Sequence, residues 1–264
     1  MFFRSVRPTK RTALLFALTF LFQVKAICQV SKVILSAEQG AVVRGDSTQK
    51  NIFLVFTGDE YTEGLPVIIE TLKSQNVKAG FFFTGRLYEN KNVGESIKKL
   101  KSDGHYLGPH SDQHLLYNHW AKRDSVLVTQ DSLITDIRTN YRKMEALGIR
   151  NDLKLFIPPF EWWSDEIVSW CNSEGIQVIS FTRGINTHAD YTYPEIGKSY
   201  KSSETIISKL FDREGKHGLN GFIILVHIGT DPRREDKLYA RLGEVIIELK
   251  RRGYVFKRVD EVFD

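Results

Sequence analysis

From residue 51 onward, short β-branched or aromatic runs alternate with longer amphipathic stretches. The runs are IFLVF (52–56), KAGFFFT (78–84), HYLG (105–108), LKLFI (153–157), QVISFT (177–182), GFIILVH (221–227) and YVFKRV (254–259), and each predicts a strand. Between them, helices are predicted near 64–75, 91–102, 124–147, 164–174, 203–213 and 235–252. Glu63, Ser164, Ser203 and Arg234–Glu235 sit near helix starts, while Gly104, Gly148, Gly175 and Gly253 sit at or just past helix ends. In the last helix, Leu242, Val245, Ile246 and Leu249 recur at three- and four-residue spacing, the mark of a helix with one apolar face.

Strands that are nearly all followed by helices predict an α/β fold of mostly parallel strands, closed or nearly closed into a single-domain (β/α)7 barrel. The competing open, doubly wound sheet would carry a glycine-rich first crossover, and none is present. In a barrel the chemistry lies at the C-terminal strand ends, here 57–61, 84–88, 109–114, 158–163, 181–191 and 227–231. Residues 183–202, RGINTHADYTYPEIGKSYKS, form one long insertion of the kind that is either functional or disordered.

The start of the chain stands apart. Basic residues (Arg4, Arg7, Lys10, Arg11) precede an apolar run from about Thr12 to Phe22 and a small residue, Ala26. That order predicts a secretory leader over 1–28, followed by an N-terminal lead-in over 29–50 and the main domain over 51–264. The apolar run is too short for a permanent span, so no integral membrane segment is expected after cleavage, and the protein is expected to be exported. Lipid attachment at Cys28 is disfavoured by Ile27, where such sites carry a small residue. Loss of the leader removes Arg4, Arg7, Lys10, Arg11 and Lys25, which brings the formal charge of +5 to about zero. Nucleic-acid binding thereby loses its compositional support. Cys28 and Cys171 make no disulfide framework.

The candidate chemistry begins at GPHSDQH, where His110 and His114 lie four apart after a strand. On a helical turn both imidazoles would face one ion, with an acidic third ligand coming from elsewhere. Asp59, beyond the first strand in VFTGDE, is at the right level of the barrel. Taken alone, the spacing also suits two ordinary surface histidines. His227 ends an apolar strand and so faces the mouth, unless it is a satisfied core histidine.

The order VFTGDE, HYLGPHSDQH, LFIPPFEWW and GFIILVHIG resembles the polysaccharide deacetylases of carbohydrate esterase family four, the nodulation-factor deacetylase homology domain. The resemblance covers about residues 50 to 262, and HSDQH, matching H-[ST]-x-x-H, is its most specific piece. It implies a distorted barrel and an Asp-His-His site for zinc, or for cobalt or nickel, made by Asp59, His110 and His114. It further implies that His227 is the general acid, with Asp190 of HADY orienting it. The substrate class it implies is an N- or O-acetylated polysaccharide or cell-envelope glycan. Around the mouth, Trp162, Trp163, Tyr191, Tyr193, Tyr117 and Trp120 suit the faces of sugar rings, although several could simply roof the core, and a backbone N–H near Phe160 is placed to bind the substrate's oxyanion.

Two departures qualify the resemblance. Counting back from Pro66 places Gly58 at the family's catalytic base, and Ile157 stands where the family has the arginine that pairs with it. Glu161 is the candidate for a relocated base. Glu60 is another, and a register shifted by one residue would make Asp59 the base and Glu60 the ligand. The alternative to an enzyme is a non-catalytic carbohydrate-binding domain that keeps the barrel and the metal site. Arg233–Arg234 reads as a solvated pair at a helix start, and His105 as structural.

Overall fold

The strand at 51–58 is apolar at every position from Ile52 to Phe56, as a strand covered on both faces must be. In the computed structural model, which describes residues 1–2 and 35–264, it is the hub of a curled, mixed sheet. The predicted leader, apart from its first two residues, lies outside the described residues, as does Cys28. Among the described residues, 35–264 form one domain.

The elements run β1 (Ser36–Glu38), β2 (Ala41–Arg44), β3 (Asn51–Gly58), α1 (Leu65–Ser74), β4 (Gly80–Phe83), α2 (Gly85–Tyr88), α3 (Gly94–Ser102), β5 (Tyr106–Pro109), β6 (Asn118–His119), β7 (Lys122–Val126), α4 (Gln130–Ala146) and β8 (Lys154–Phe156). They continue with α5 (Asp165–Ser173), β9 (Ile176–Val178), α6 (Ser203–His217), β10 (Phe222–His227), α7 (Leu242–Arg251) and β11 (Val255–Lys257). The main sheet has the order β1-β2-β10-β3-β4-β5, with β11 sharing the β4 edge of β3 near its N-terminal end. The β3 pairings with β10, β4 and β11 are all parallel.

Closure is partial, which makes this a half-barrel version of the expected (β/α)7 barrel. The β8–β9 pair joins the curl where Ser180 donates to the Val42 carbonyl (2.9 Å) and Thr182 to that of Ile223 (2.9 Å). On the other side, β5 and β8 are linked through the Tyr106 hydroxyl, which accepts from the Leu155 amide (2.8 Å) and donates to the Leu153 carbonyl (2.9 Å).

Strand parity sorts the core. Phe53, Val55, Phe82, Leu155, Ile223 and Leu225 fill the inside of the curl. Ile52, Leu54, Phe56, Phe81, Phe83, Ile224 and Val226 face the helices. The four apolar positions predicted for α7 are all buried. Cys171 is also core; burial pushes its thiol up to about 12, which makes it a poor nucleophile at neutral pH.

Three expectations change. Part of the supposed lead-in is structural, because β1 and β2 form an antiparallel hairpin and β2 pairs with β10. The helix predicted from 124 begins at Gln130, and the β6–β7 hairpin precedes it. The insertion at 183–202 is folded into 3₁₀ turns at Thr187–Tyr191 and Pro194–Ser199.

The insertion's anchor is Arg234, which is fully buried rather than solvated. Its guanidinium donates to the carbonyls of Thr192 (2.5 Å) and Lys201 (3.0 Å) and to the Ser203 hydroxyl (3.2 Å). Arg233 stays outside, stacked on the Tyr193 ring at 3.8 Å. Arg234→Met keeps the volume but strands those acceptors, so a loss of about 2–4 kcal/mol is expected in urea unfolding.

Candidate active site

His110 and His114 come together without a helix. The segment after β5 is irregular, and Ser111 (φ 71°) and His114 (φ 57°) are both left-handed, so the helical-turn expectation is corrected. One face of α4 holds this loop. Asp136 accepts from the amides of Asp112 (2.9 Å) and Gln113 (3.1 Å), Asn140 donates to the Ser111 carbonyl (2.7 Å), and Lys143 pairs with Asp112 (2.7 Å). Sequence reasoning missed these residues. The signal was present, since Asp136, Asn140 and Lys143 recur at helical spacing beside the buried Ile137 and Met144.

The two imidazole rings lie 5.1 Å apart between centroids. Nδ1 of His110 is 2.7 Å from the Ile157 carbonyl oxygen, which can only accept, so Nδ1 carries the proton and Nε2 has a free lone pair. Ile157, buried where the resemblance expects arginine, thus contributes through its backbone. Burial drives His110 well below its ordinary pKa, and it lowers His114 to about 4 against the opposing pull of Asp59. Both rings are therefore neutral near pH 7, the form that binds metals.

Asp59 is otherwise engaged. Its carboxylate accepts from Thr84 Oγ1 (2.8 Å) and is gripped by both arms of the Arg86 guanidinium. Burial opposes its ionisation, but the bonds from Arg86 and Thr84 outweigh that and hold it below the usual carboxylate value. As the side chains stand, no three His, Cys, Asp or Glu among the described residues converge to hold an ion. The expected closure of Asp59, His110 and His114 on one point is therefore not what this arrangement shows. Asp59 is held instead by Arg86, on the first turn after β4. The imidazoles suit a divalent ion, and the carboxylate does so only without its guanidinium. Glu60 is exposed.

Gly58, the position that the resemblance gives to the base, lies on the helix-facing side of β3. A Cβ there would point away from the mouth, 2.4 Å from Ile228 Cδ1 and 3.0 Å from Phe83 Cδ1, both in the helix-facing layer. The inward position is Thr57, which pairs in register with His227. Thr57 is buried and its hydroxyl has no hydrogen-bond partner among the described residues.

Across the mouth stands a second cluster. The buried carboxylate of Asp190 accepts from His227 twice, from its amide (2.9 Å) and from Nδ1 (2.6 Å). Desolvation would lower the His227 pKa, but Asp190, and Glu161 further off, outweigh it and raise the value. Glu161 is half-buried and pushed up to about 7, mainly by desolvation, and the charges it feels are those of His227 and Asp190. Its carboxyl is thus within electrostatic reach of that pair. Phe160 (φ 60°) and Glu161 (φ 49°) are consecutive left-handed residues after the paired prolines.

The aromatic residues divide. Trp163 and Tyr117 are buried, and the Trp163 indole donates to the Glu38 and Gln39 carbonyls, so the expected sugar contact by Trp163 is corrected to a structural role. Exposed rings flank the site. Phe160 leans on His114 (4.4 Å) and meets Trp120 edge-on (5.4 Å), and Trp120 lies 6.0 Å from Trp162. On the other side, Tyr191 stands edge-on to His227 at 5.6 Å.

A sequence profile for polysaccharide deacetylases matches residues 44–179, just over half of the chain. The chain belongs to the polysaccharide deacetylase family. Among curated relatives, it is 23% identical to the peptidoglycan-N-acetylmuramic acid deacetylase PdaA of Bacillus subtilis, covering 83% of this chain and 73% of that one. It is 24% identical to a peptidoglycan-N-acetylglucosamine deacetylase of Bacillus cereus, covering 82% and 89%. A crystal structure of a family 4 pseudoenzyme from Bacillus anthracis superposes with a TM-score of 0.66 at 22% identity, over 86% of this chain and 70% of that one. The PdaA structure gives 0.64 at 21%, over 85% of each. These structural likenesses show the deacetylase fold. Asp190 and His227 fall beyond the segment matched by the profile, so the observed contact between them stands on its own geometry.

Asp190→Asn should leave desolvation as the main influence on His227 and move its titration to lower pH in NMR. The sign for stability follows from the raised folded-state value. The pair's contribution is full below the ordinary value of 6.5 and fades as pH rises through the folded pKa. Asp190→Asn should therefore flatten that part of the stability–pH curve.

Proposed function

We propose that this chain is an exported hydrolase that removes acyl, chiefly acetyl, groups from an N- or O-acetylated glycan of the cell envelope. The observation that carries this reading is the Asp190–His227 pair, with Glu161 within its electrostatic reach, at the mouth of a deacetylase fold. The basic-then-apolar N-terminus and the peptidoglycan deacetylases among its relatives support the location and the substrate class.

Glu161, with a pKa near neutrality, takes a proton from the attacking water. The water oxygen adds to the acyl carbon. His227, held by Asp190 through Nδ1, gives a proton from Nε2 to the departing amine or alkoxide as the carbon–heteroatom bond breaks. The products are the free carboxylic acid and the unmasked glycan. A divalent ion, zinc by the chemistry of the two imidazoles with cobalt or nickel as alternatives, would be held by His110, His114 and Asp59. When bound it would polarise the acyl carbonyl and acidify the water. Trp120, Trp162 and Phe160 on one flank and Tyr191 on the other would stack on sugar rings.

A second reading, glycan binding without hydrolysis, is favoured by two observations. The inward strand position is Thr57, not a carboxylate, and Asp59 is already neutralised by Arg86.

Acetate release from N- and O-acetylated oligosaccharides, with zinc, cobalt or nickel supplied in turn, separates the two readings. The hydrolase releases acetate. Oligosaccharide binding with no release from any substrate would establish the second reading instead. Activity should rise with pH through about 7 as Glu161 ionises and fall as His227 loses its proton. Glu161→Gln should lower kcat about 10²–10⁴-fold and abolish the acid limb of that profile. Trp120→Ala should raise KM for oligosaccharides about five- to tenfold and spare kcat, as expected for a lost stacking contact of about 1 kcal/mol.

A further inference from the structure

Arg86 sits on α2, immediately after the β4 strand end, and no motif in the sequence singles it out. Its Nε lies 2.5 Å from Asp59 Oδ1, and its second arm reaches Oδ2, so both carboxylate oxygens are taken by the guanidinium fork. Thr84 locks the geometry from below. Its hydroxyl caps α2 by accepting from the Leu87 amide (3.3 Å) and donates to Asp59 Oδ1 (2.8 Å). The guanidinium is not a buried fixture, because 53% of the Arg86 side chain is exposed against 21% of Asp59. It also borders an open cavity of about 350 Å³ lined by Asp59, Glu60, Arg86, Leu87 and Asn90. There is room for it to swing out, and the Glu60 carboxylate on the same wall can receive it.

One carboxylate cannot hold a guanidinium fork and a divalent ion on the same edge. We propose that Arg86 is an internal cation that competes with a divalent metal for Asp59, so that the ion loads only by displacing Arg86 toward Glu60 and solvent. This rests on the reading above in which His110, His114 and Asp59 cradle the ion. It adds that metal affinity is set low by the chain itself. An exposed pair is worth little to stability, so removing it changes metal binding far more than folding.

The test is calorimetric titration of the full chain with zinc, with the visible spectrum of added cobalt reporting coordination. Arg86→Gln should bind zinc about tenfold more tightly than the unaltered chain, and Arg86→Lys, which keeps the charge but loses the fork, should fall between. In an Asp59→Asn background the advantage of Gln over Arg at position 86 should vanish, because the carboxylate they contest is gone. Equal or weaker zinc binding by Arg86→Gln overturns the proposal. So does a tenfold gain that survives Asp59→Asn, or the absence of binding by every variant at millimolar zinc. No turnover is measured, so tight binding without acetate release would count against the hydrolase and leave the role of Arg86 standing. Acetate release with an unchanged affinity in Arg86→Gln would do the reverse.

Discussion

The parallel ladder between β3 and β10 is the constraint on which the mouth depends. It runs in unbroken register from Ile52 and Phe222 to Thr57 and His227. Side chains alternate across a strand, so this register decides which residues look into the curl and which look toward the helices. Val55, Leu225, Thr57 and His227 fall inward, while Gly58 and Ile228 fall outward. A slip of one residue on either strand would send His227 into the helix-facing layer, away from Asp190. The chemistry therefore rests on apolar packing several residues below it, where Phe53 and Ile223 hold the phase.

The sequence pattern revealed the strands and helices that carry a strong period, α7 above all, because burial of one face demands that period. It also drew notice to His110, His114, His227 and Glu161, which stand at strand ends or in the loops that follow, while Asp190, suggested by the resemblance alone, lies against His227. Several features were not legible. The β1–β2 hairpin is too short for a pattern, and Ala41–Val43 read as strand only once β10 lies beside them. Arg234 and Arg86 look alike as exposed arginines in a sequence, yet one is sealed under the insertion and the other grips Asp59. Their roles come from partners far along the chain, on which local propensity is silent. Gly58 shows the same limit. Counting along a motif assigns a position, but only the strand pairing assigns the direction of its side chain.

The mouth has two electrostatic halves with neutral ground between them. On one side Asp190 raises the pKa of His227, and Glu161 is poised close to neutrality. On the other, Asp59 and Arg86 cancel each other. The imidazoles of His110 and His114 lie between, stripped of protons by burial. Each half satisfies its own charges, so the pocket does not need a ligand to be stable. That self-sufficiency permits proton transfer at the Glu161–His227 side while leaving the Asp59 side to a contest between cations.

The backbone at this end is strained in a pattern that stability alone does not explain. Ser111, His114, Phe160, Glu161 and Asn186 all take positive φ, and none is glycine. Each costs about 1–2 kcal/mol against a relaxed conformation. A glycine at 160 or 161 would relieve the turn after the paired prolines. Glycine at 160 would, however, remove the ring that leans on His114, and at 161 it would remove the carboxylate that faces His227. Glycine at 114 would remove an imidazole. At three of the five positions the strained residue is one whose side chain the mouth uses, so the strain is concentrated where direction matters more than stability.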